Sequence, residues 1–343
     1  MFNFTRYLYE KEEVEYSLLI TLLSQKESAF FWGYELFHSG FISDLKKLLY
    51  KIYYTFYAVN NLNLEQFIIN EINILNKINL YKIIDNLISL KWTNELIFVK
   101  KPLKKFNIIS CLKKKEYNKV LSLIIFYYDD QYINHIFDHF NKKYEIEIKK
   151  LMKYNKKQLI SPNIKLAVFL LRYKLISECK KIGKNIIIHS DEESFKRYDN
   201  LLADHSPDGK YPLLSKLPAR NILSSANLYE IEDDIALFNL NREKDDLKKS
   251  YYYHWEYYCY DTPIWRDRFD NYNIVIDDDS KTIEFEDDDE LEEFYNDFGY
   301  EPDEQNINTQ KKSIKDISII DFNNKQGYNC SLFNKHIYEK IKF

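Results

Sequence analysis

The residues of this 343-residue chain that could do chemistry fall in three places. His135 and His139 stand four apart, a spacing that puts two imidazoles on one helix face and so suits a metal ion. With Asp138 they spell His-x-x-Asp-His, near the inverted zinc-protease pattern but with Asp where that pattern uses Glu. The shorter acid would draw a general base back by one methylene. No third ligand is evident, and a half-exposed polar helix face packed through Ile136 and Phe137 accounts for the same residues. The expectation is a chain without stoichiometric zinc or any other cofactor.

The second place is rich in lysine. Lys100, Lys101, Lys104, Lys105, Lys113, Lys114, Lys115 and Lys119 crowd into twenty positions, opposed there by Glu116 alone. Such a cluster can neutralise phosphates without reading bases, and Phe106 and Tyr117 offer rings for stacking. The competing reading is a solvated linker and helix face. The chain's bias towards lysine, 42 against 7 arginines, makes that reading easy to satisfy. Over 100–184 there are 21 Lys and Arg against 7 Asp and Glu, a net charge of +14.

The third place is acidic. Residues 277–304 hold 15 acids against Lys281, a net charge of −14. An EF-hand loop starting at Asp277 would need an oxygen ligand at Lys281, Gly at Thr282 and Glu at Asp288, and none of these is met. Two-metal carboxylate catalysis also draws on acids. Successive acids such as Asp287, Asp288, Asp289 and Glu290 point in different directions, however, and read as a solvated charge run. The two segments are equal and opposite, which raises the expectation that the acidic one screens the basic one from polyanions.

Several motif-borne chemistries find no support, while an enzyme without such a motif stays open. Glycine occurs only at 33, 40, 183, 209, 299 and 327, so no GxGxxG, GxxxxGK[ST] or GxSxG motif can be written. P-loop, Rossmann, kinase and α/β-hydrolase readings fall with them. Cysteines at 111, 179, 259 and 330 make no CxxC pair and suggest a reduced compartment. The N-terminal residues lack the basic start and apolar run of a signal peptide. The longest apolar stretch, around 120–128, is far short of the ~18–20 residues that span a membrane.

The elements that must position these residues read as helical. Six glycines are too few for hairpin-rich β architecture, whose tight turns need positive φ. Glu12 and Glu13 open a helix carrying Val14, Leu18 and Leu22. Another spans 28–39, stopped by Gly40. Ser43 reads as the N-cap of a third, whose stripe is Leu45, Leu48, Leu49, Ile52, Phe56 and Val59, ended by Asn60 and Asn61. Two more fall near 64–75 and 80–90. Further helices are expected near 116–128, 130–143 and 163–181, the last opened by Ser161 and Pro162.

Ser190 with Glu193 reads as a capping box, before breaks at 206–209, Pro212 and Pro218. A helix near 242–260 carries Leu247, Tyr251, Trp255 and Tyr258. The run of aromatics from Tyr251 to Tyr258 reads as core packing with hydroxyls at the rim. Thr262 and Pro263 give the N-cap and first turn of a short helix. Residues 273–276 and 282–286 alternate as the one hairpin candidate, and 332–341 is a candidate last helix.

Three stretches resemble proteins of large cytoplasmic DNA viruses of the mimivirus kind. They are Phe30-Phe31-Trp32-Gly33-Tyr34-Glu35-Leu36 running to Gly40-Phe41, Tyr260-Asp261-Thr262-Pro263-Ile264-Trp265, and Glu293-Phe294-Tyr295 running to Glu301-Pro302-Asp303-Glu304-Gln305. The resemblance implies a viral source and carries over no catalytic residue.

The expected architecture is mainly α: stacked, α-solenoid-like helical hairpins with a smaller mixed α/β acidic C-terminal region. Its regions are 1–99, a basic region 100–186 continuous with it, a broken boundary 187–240, and an aromatic and acidic region 241–343. The expected role is a non-enzymatic interaction scaffold with a protein partner and no membrane. It would sit in a viral replication, transcription or assembly complex, in the host cytoplasm, a viral factory or the virion interior. The alternatives are a nucleic-acid-binding accessory factor using the 100–184 surface and, further off, a metal-dependent enzyme built on His135 and His139.

Overall fold

The computed structural model describes residues 5–6, 11–23, 25–96, 99–127, 129, 131–140, 162–178, 193, 195–196 and 247–298. Helix takes 68% of the interpretable region and strand 4%, so the fold is mainly helical with one small sheet. The helices are α1 (Lys11–Leu23), α2 (Ser28–His38), α3 (Ile42–Ile52), α4 (Glu65–Asn73), α5 (Lys77–Ser89), α6 (Ile108–Lys113), α7 (Tyr117–Phe126), α8 (Gln131–His139) and α9 (Pro162–Ser177). After the boundary come α10 (Leu247–Tyr260), α11 (Pro263–Phe269), strands β1 (Ile274–Asp277) and β2 (Thr282–Phe285), and α12 (Asp288–Phe298). Most of 187–240, the ends of the expected helices at 130–143 and 163–181, and everything beyond 298 lie outside the described residues.

Helix α1 packs on α2, α2 on α5, α3 on α4, and α4 on α5, while α7 lies against both α6 and α9. The stripe expected on α3 is buried, but burial continues through every residue from Tyr50 to Val59. Two features explain the difference. The helix widens into a π turn at Tyr53–Tyr57, which rotates the following side chains. Its other flank is then covered by α9, whose residues 164–171 are themselves all buried. Ser43 is not the N-cap: α3 starts at Ile42 behind Phe41, with no side-chain cap. Asp44 still sits in the first turn, where the helix dipole favours it.

Buried Tyr57 and half-buried Trp92 close a helix end. The last carbonyls of a helix have no partner within it. Tyr57 Oη donates to Leu22 O at 3.1 Å and Trp92 Nε1 to Leu23 O at 2.7 Å, so both close the end of α1. Arg172 of α9 donates to the carbonyls of Val59 (2.9 Å) and Asn60 (3.2 Å) just past the π turn. Two buried ion pairs tie elements together. Arg6 meets Glu35 at 2.8 Å, and Lys165 meets Glu65 at 3.1 Å with Tyr54 donating to the same carboxylate. The desolvation cost of burying such charges is offset only when each has a partner.

A second, smaller core is formed by Trp255, Cys259, Trp265, Phe269 and Phe294. It meets the first at a close junction. Trp265 Nε1 donates to the buried carbonyl of Thr5 at 2.9 Å, across 260 residues of sequence. Gly40, with φ of 83°, lies so near Pro263 that an added Cβ would come within 2.5 Å of the proline ring.

The hairpin and the start of α11 behave as expected: Thr262 is the N-cap and Pro263 follows it. Two elements were not foreseen. Helix α6 is only six residues long, too short for a periodic signal. Helix α12 arises within the acidic run, where Asp287 accepts from Glu290 N at 2.9 Å as an N-cap. Phe294 and Tyr295 then face the second core.

Candidate nucleic-acid interface

Lysine segment 100–119 follows α5 in the chain, contains α6 and runs into the first turn of α7. The leading stretch is anchored by aromatic rings and one main-chain contact: Tyr127 Oη donates to Pro102 O at 3.4 Å. Phe106 packs against the main core. Asn107 caps α6, its side chain accepting from Ser110 N at 2.9 Å. Lys113 ends α6, Lys114 is its C-cap, and Lys115 takes the left-handed φ of 56° that turns the chain into α7. Ile108, Cys111, Leu112 and Tyr117 face inwards, so the charged residues between them must face out.

All eight lysines named from the sequence are exposed. Lys119 Nζ lies 5.3 Å from the Phe106 ring centre and Lys105 Nζ 5.4 Å from that of Tyr127. These cation–π contacts link the leading stretch to α7 and keep both ammonium groups at one surface. Glu116 pairs with Lys119 at 2.9 Å. That hydrogen bond holds the Glu116 carboxyl below its usual value and lifts the Lys119 ammonium above its own. Of the two rings considered for stacking, Phe106 is half-buried, whereas Tyr117 is buried. Tyr117 packs edge-on to Tyr173 at 5.6 Å. Tyr127, half-buried and absent from the sequence reading, is the second accessible ring. Its signal was its place just past the apolar face of α7.

His135 and His139 both lie on α8, His135 half-buried and His139 exposed beside Phe140. Partial burial, then the charge of Lys115, holds the His139 imidazole below its usual pKa. Among the described residues no group of three or more His, Cys, Asp or Glu is placed to hold a metal ion. Lys115 adds positive charge near His139, which disfavours a cation there.

The acids of 277–298 make local contacts. Asp277 accepts from Asp279 N and Ser280 N in the hairpin turn, and these bonds, led by that from Ser280, hold its carboxyl below the usual range. Tyr257 Oη donates to Asp278, Tyr272 Oη to Asp297, and Asn273 to Glu290. Among the described residues no ion pair joins these acids to the lysines of 100–119.

Cys259 and Tyr272, both raised first by burial, belong to the second core, and further perturbed groups lie inside the main one. Burial lowers the Lys51 ammonium to about 7, opposed by Glu15 and reinforced by Lys47. Burial raises the Tyr50 phenol to about 12 and holds Tyr53 and Tyr57 well above their usual values. These groups sit on α3 and the π turn that follows it, among buried neighbours.

No family model matches the chain, and neither a curated protein nor a solved structure matches it. No helix among the described residues is long and apolar enough to cross a membrane.

Proposed function

We propose that this chain is a non-enzymatic helical scaffold that grips the phosphate backbone of a nucleic acid through lysine segment 100–119. The observation that carries the proposal is the exposure of all eight lysines, with Lys119 over half-buried Phe106, Lys105 over half-buried Tyr127 and Glu116 the one acid in the segment. Exposed ammonium groups gain most from phosphate because binding releases the polymer's condensed counterions. Neighbouring rings add sequence-tolerant stacking on unpaired bases. Lysine is a point charge on a flexible stem, suited to backbone contact and poorly suited to the bidentate reading of a base edge. The segment should therefore bind without strong sequence preference and favour single strands.

The packing of α1 on α2, α4 on α5 and α7 on α6 supports reading the helical part as stacked hairpins of the solenoid type, a frame that displays such a segment. The setting proposed for it is a viral replication, transcription or assembly complex. Fluorescence anisotropy with labelled single- and double-stranded oligonucleotides at low salt tests the proposal. Binding should appear with both and be tighter for single strands. The variant Lys113→Gln, Lys114→Gln, Lys115→Gln should weaken it at least tenfold. Absence of binding at low salt, or equal binding by the variant, would remove the proposal.

A further inference from the structure

The hairpin of the second core has one covered strand and one open one. Strand β2 lies against α10 and α12, whereas among the described residues β1 has β2 as its sole neighbour in the sheet. The antiparallel register pairs Ile274 with Phe285, Val275 with Glu284, Ile276 with Ile283 and Asp277 with Thr282. Glu286 N donates to Asn273 O at 3.0 Å, which makes 273 and 286 a hydrogen-bonded pair. In an antiparallel ladder such pairs alternate with open ones. The main-chain N–H and C=O of Ile274 and Ile276 therefore point away from β2, and among the described residues no other hydrogen bond takes them up.

Beside this edge runs a groove of about 610 Å³ whose lining includes Tyr260, Phe269, Tyr272 and Ile276 together with the acids Asp270 and Glu286. Val275 is 65% exposed and Ile276 36% exposed. Proteins usually blunt an open edge with lysine, proline or a covering loop. Strand β1 contains neither lysine nor proline. Negative charge predominates around it: Asp270, Asp277, Asp278, Glu284 and Glu286 are all exposed, against Lys281 in the turn, whose ammonium lies 5.8 Å from the Tyr258 ring centre.

We propose that the β1 edge docks an extended, lysine- or arginine-rich segment of a partner protein, which adds to the sheet as a third strand. Alternate residues of a strand point to opposite faces. Apolar side chains at every second position would enter the aromatic groove, and basic ones between them would meet the surrounding acids. Main-chain bonds to Ile274 and Ile276 supply affinity, while groove and acids supply specificity. This surface is separate from lysine segment 100–119 and takes a partner of opposite charge, so either proposal can fail without the other.

The test uses the full chain and a fluorescent eight-residue peptide of alternating lysine and valine. Three comparisons accompany it: a glutamate–valine peptide, the lysine–valine peptide N-methylated at alternate amides, and the chain carrying Ile276→Pro. Because the Ile276 N–H faces outwards, proline removes an edge donor while leaving the bonds to β2 in place. The lysine–valine peptide should bind. Its affinity should fall at least tenfold on N-methylation and with Ile276→Pro, and the glutamate peptide should not bind. Lys113→Gln, Lys114→Gln, Lys115→Gln should leave peptide binding unchanged.

Equal binding of the N-methylated peptide to the native chain would show charge attraction alone and overturn the proposal, whatever the folding of the variant. So would absence of binding. Concentration-dependent self-association of the native chain that Ile276→Lys abolishes would also overturn it, by making a second copy the occupant of the edge.

Discussion

Gly40 and Lys51 show how single residues constrain this molecule in opposite ways. Gly40 was legible in the sequence as a helix stop, and its φ of 83° follows from that role. Its second duty, close approach to Pro263, was not legible, because the partner lies more than two hundred residues away. Gly40→Ala combines left-handed strain with a clash against a ring that cannot fold aside. The expected cost is about 2–4 kcal/mol, measured as a fall in Tm and in the guanidinium midpoint. A loss under about 0.5 kcal/mol would mean that the junction is loose.

Lys51 is a buried amine whose folded pKa, about 7, lies below its unfolded value of roughly 10.4. The folded chain therefore binds fewer protons than the unfolded one between those values. The penalty for burying this charge is fully present below pH 7 and fades as pH rises towards 10.4. Lys51→Met should raise Tm more at pH 6.5 than at pH 9.5. A gain that does not vary with pH would show that Lys51 stays charged and partnered in the fold.

At the scale of elements, periodicity was informative where a helix buries one side and uninformative where it buries all sides. The stripe of α3 and the start of α9 at Pro162 were readable, yet the π turn and the burial of every residue over 164–171 were not, since a stretch enclosed on every side has no polar face to mark its period. Helix α12 was hidden by its charge. The acids that read as a solvated run also supply an N-cap and a favourable first turn, while Phe294 and Tyr295 carry the packing. Asp287→Ala should cost about 1 kcal/mol, seen as faster amide exchange confined to α12. Unchanged exchange would mean that the cap contributes nothing. Charge-neutral replacements in this region should spare Asp287 and Glu290, which cap the helix and bind Asn273.

The same scale holds the seam between the two cores. Trp265 joins them by its ring and by its bond to Thr5 O. Trp265→Phe removes a donor from a buried carbonyl and leaves a gap. It should destabilise the chain by about 2–4 kcal/mol. Near-native stability would show that the second core stands without the seam.

For the molecule as a whole, the lysine segment was legible as a list of residues and not as a surface. Sequence gave their number and the single acid among them; only the fold puts Lys105 over Tyr127 and Lys119 over Phe106. That no ion pair among the described residues joins the acids of 277–298 to the lysines of 100–119 was equally beyond reach, because charge counts say nothing of distance. The central claim is that these lysines hold a phosphate backbone, and its signature is salt dependence. Each lysine that contacts duplex phosphate contributes about 0.9 to the slope of log K against log salt. Binding of a labelled duplex, followed from low to physiological salt, should give a steep linear fall for the native chain. For Lys113→Gln, Lys114→Gln, Lys115→Gln the slope should be shallower by about 2–3. An unchanged slope in the triple variant, with affinity intact at every salt concentration, would contradict the account.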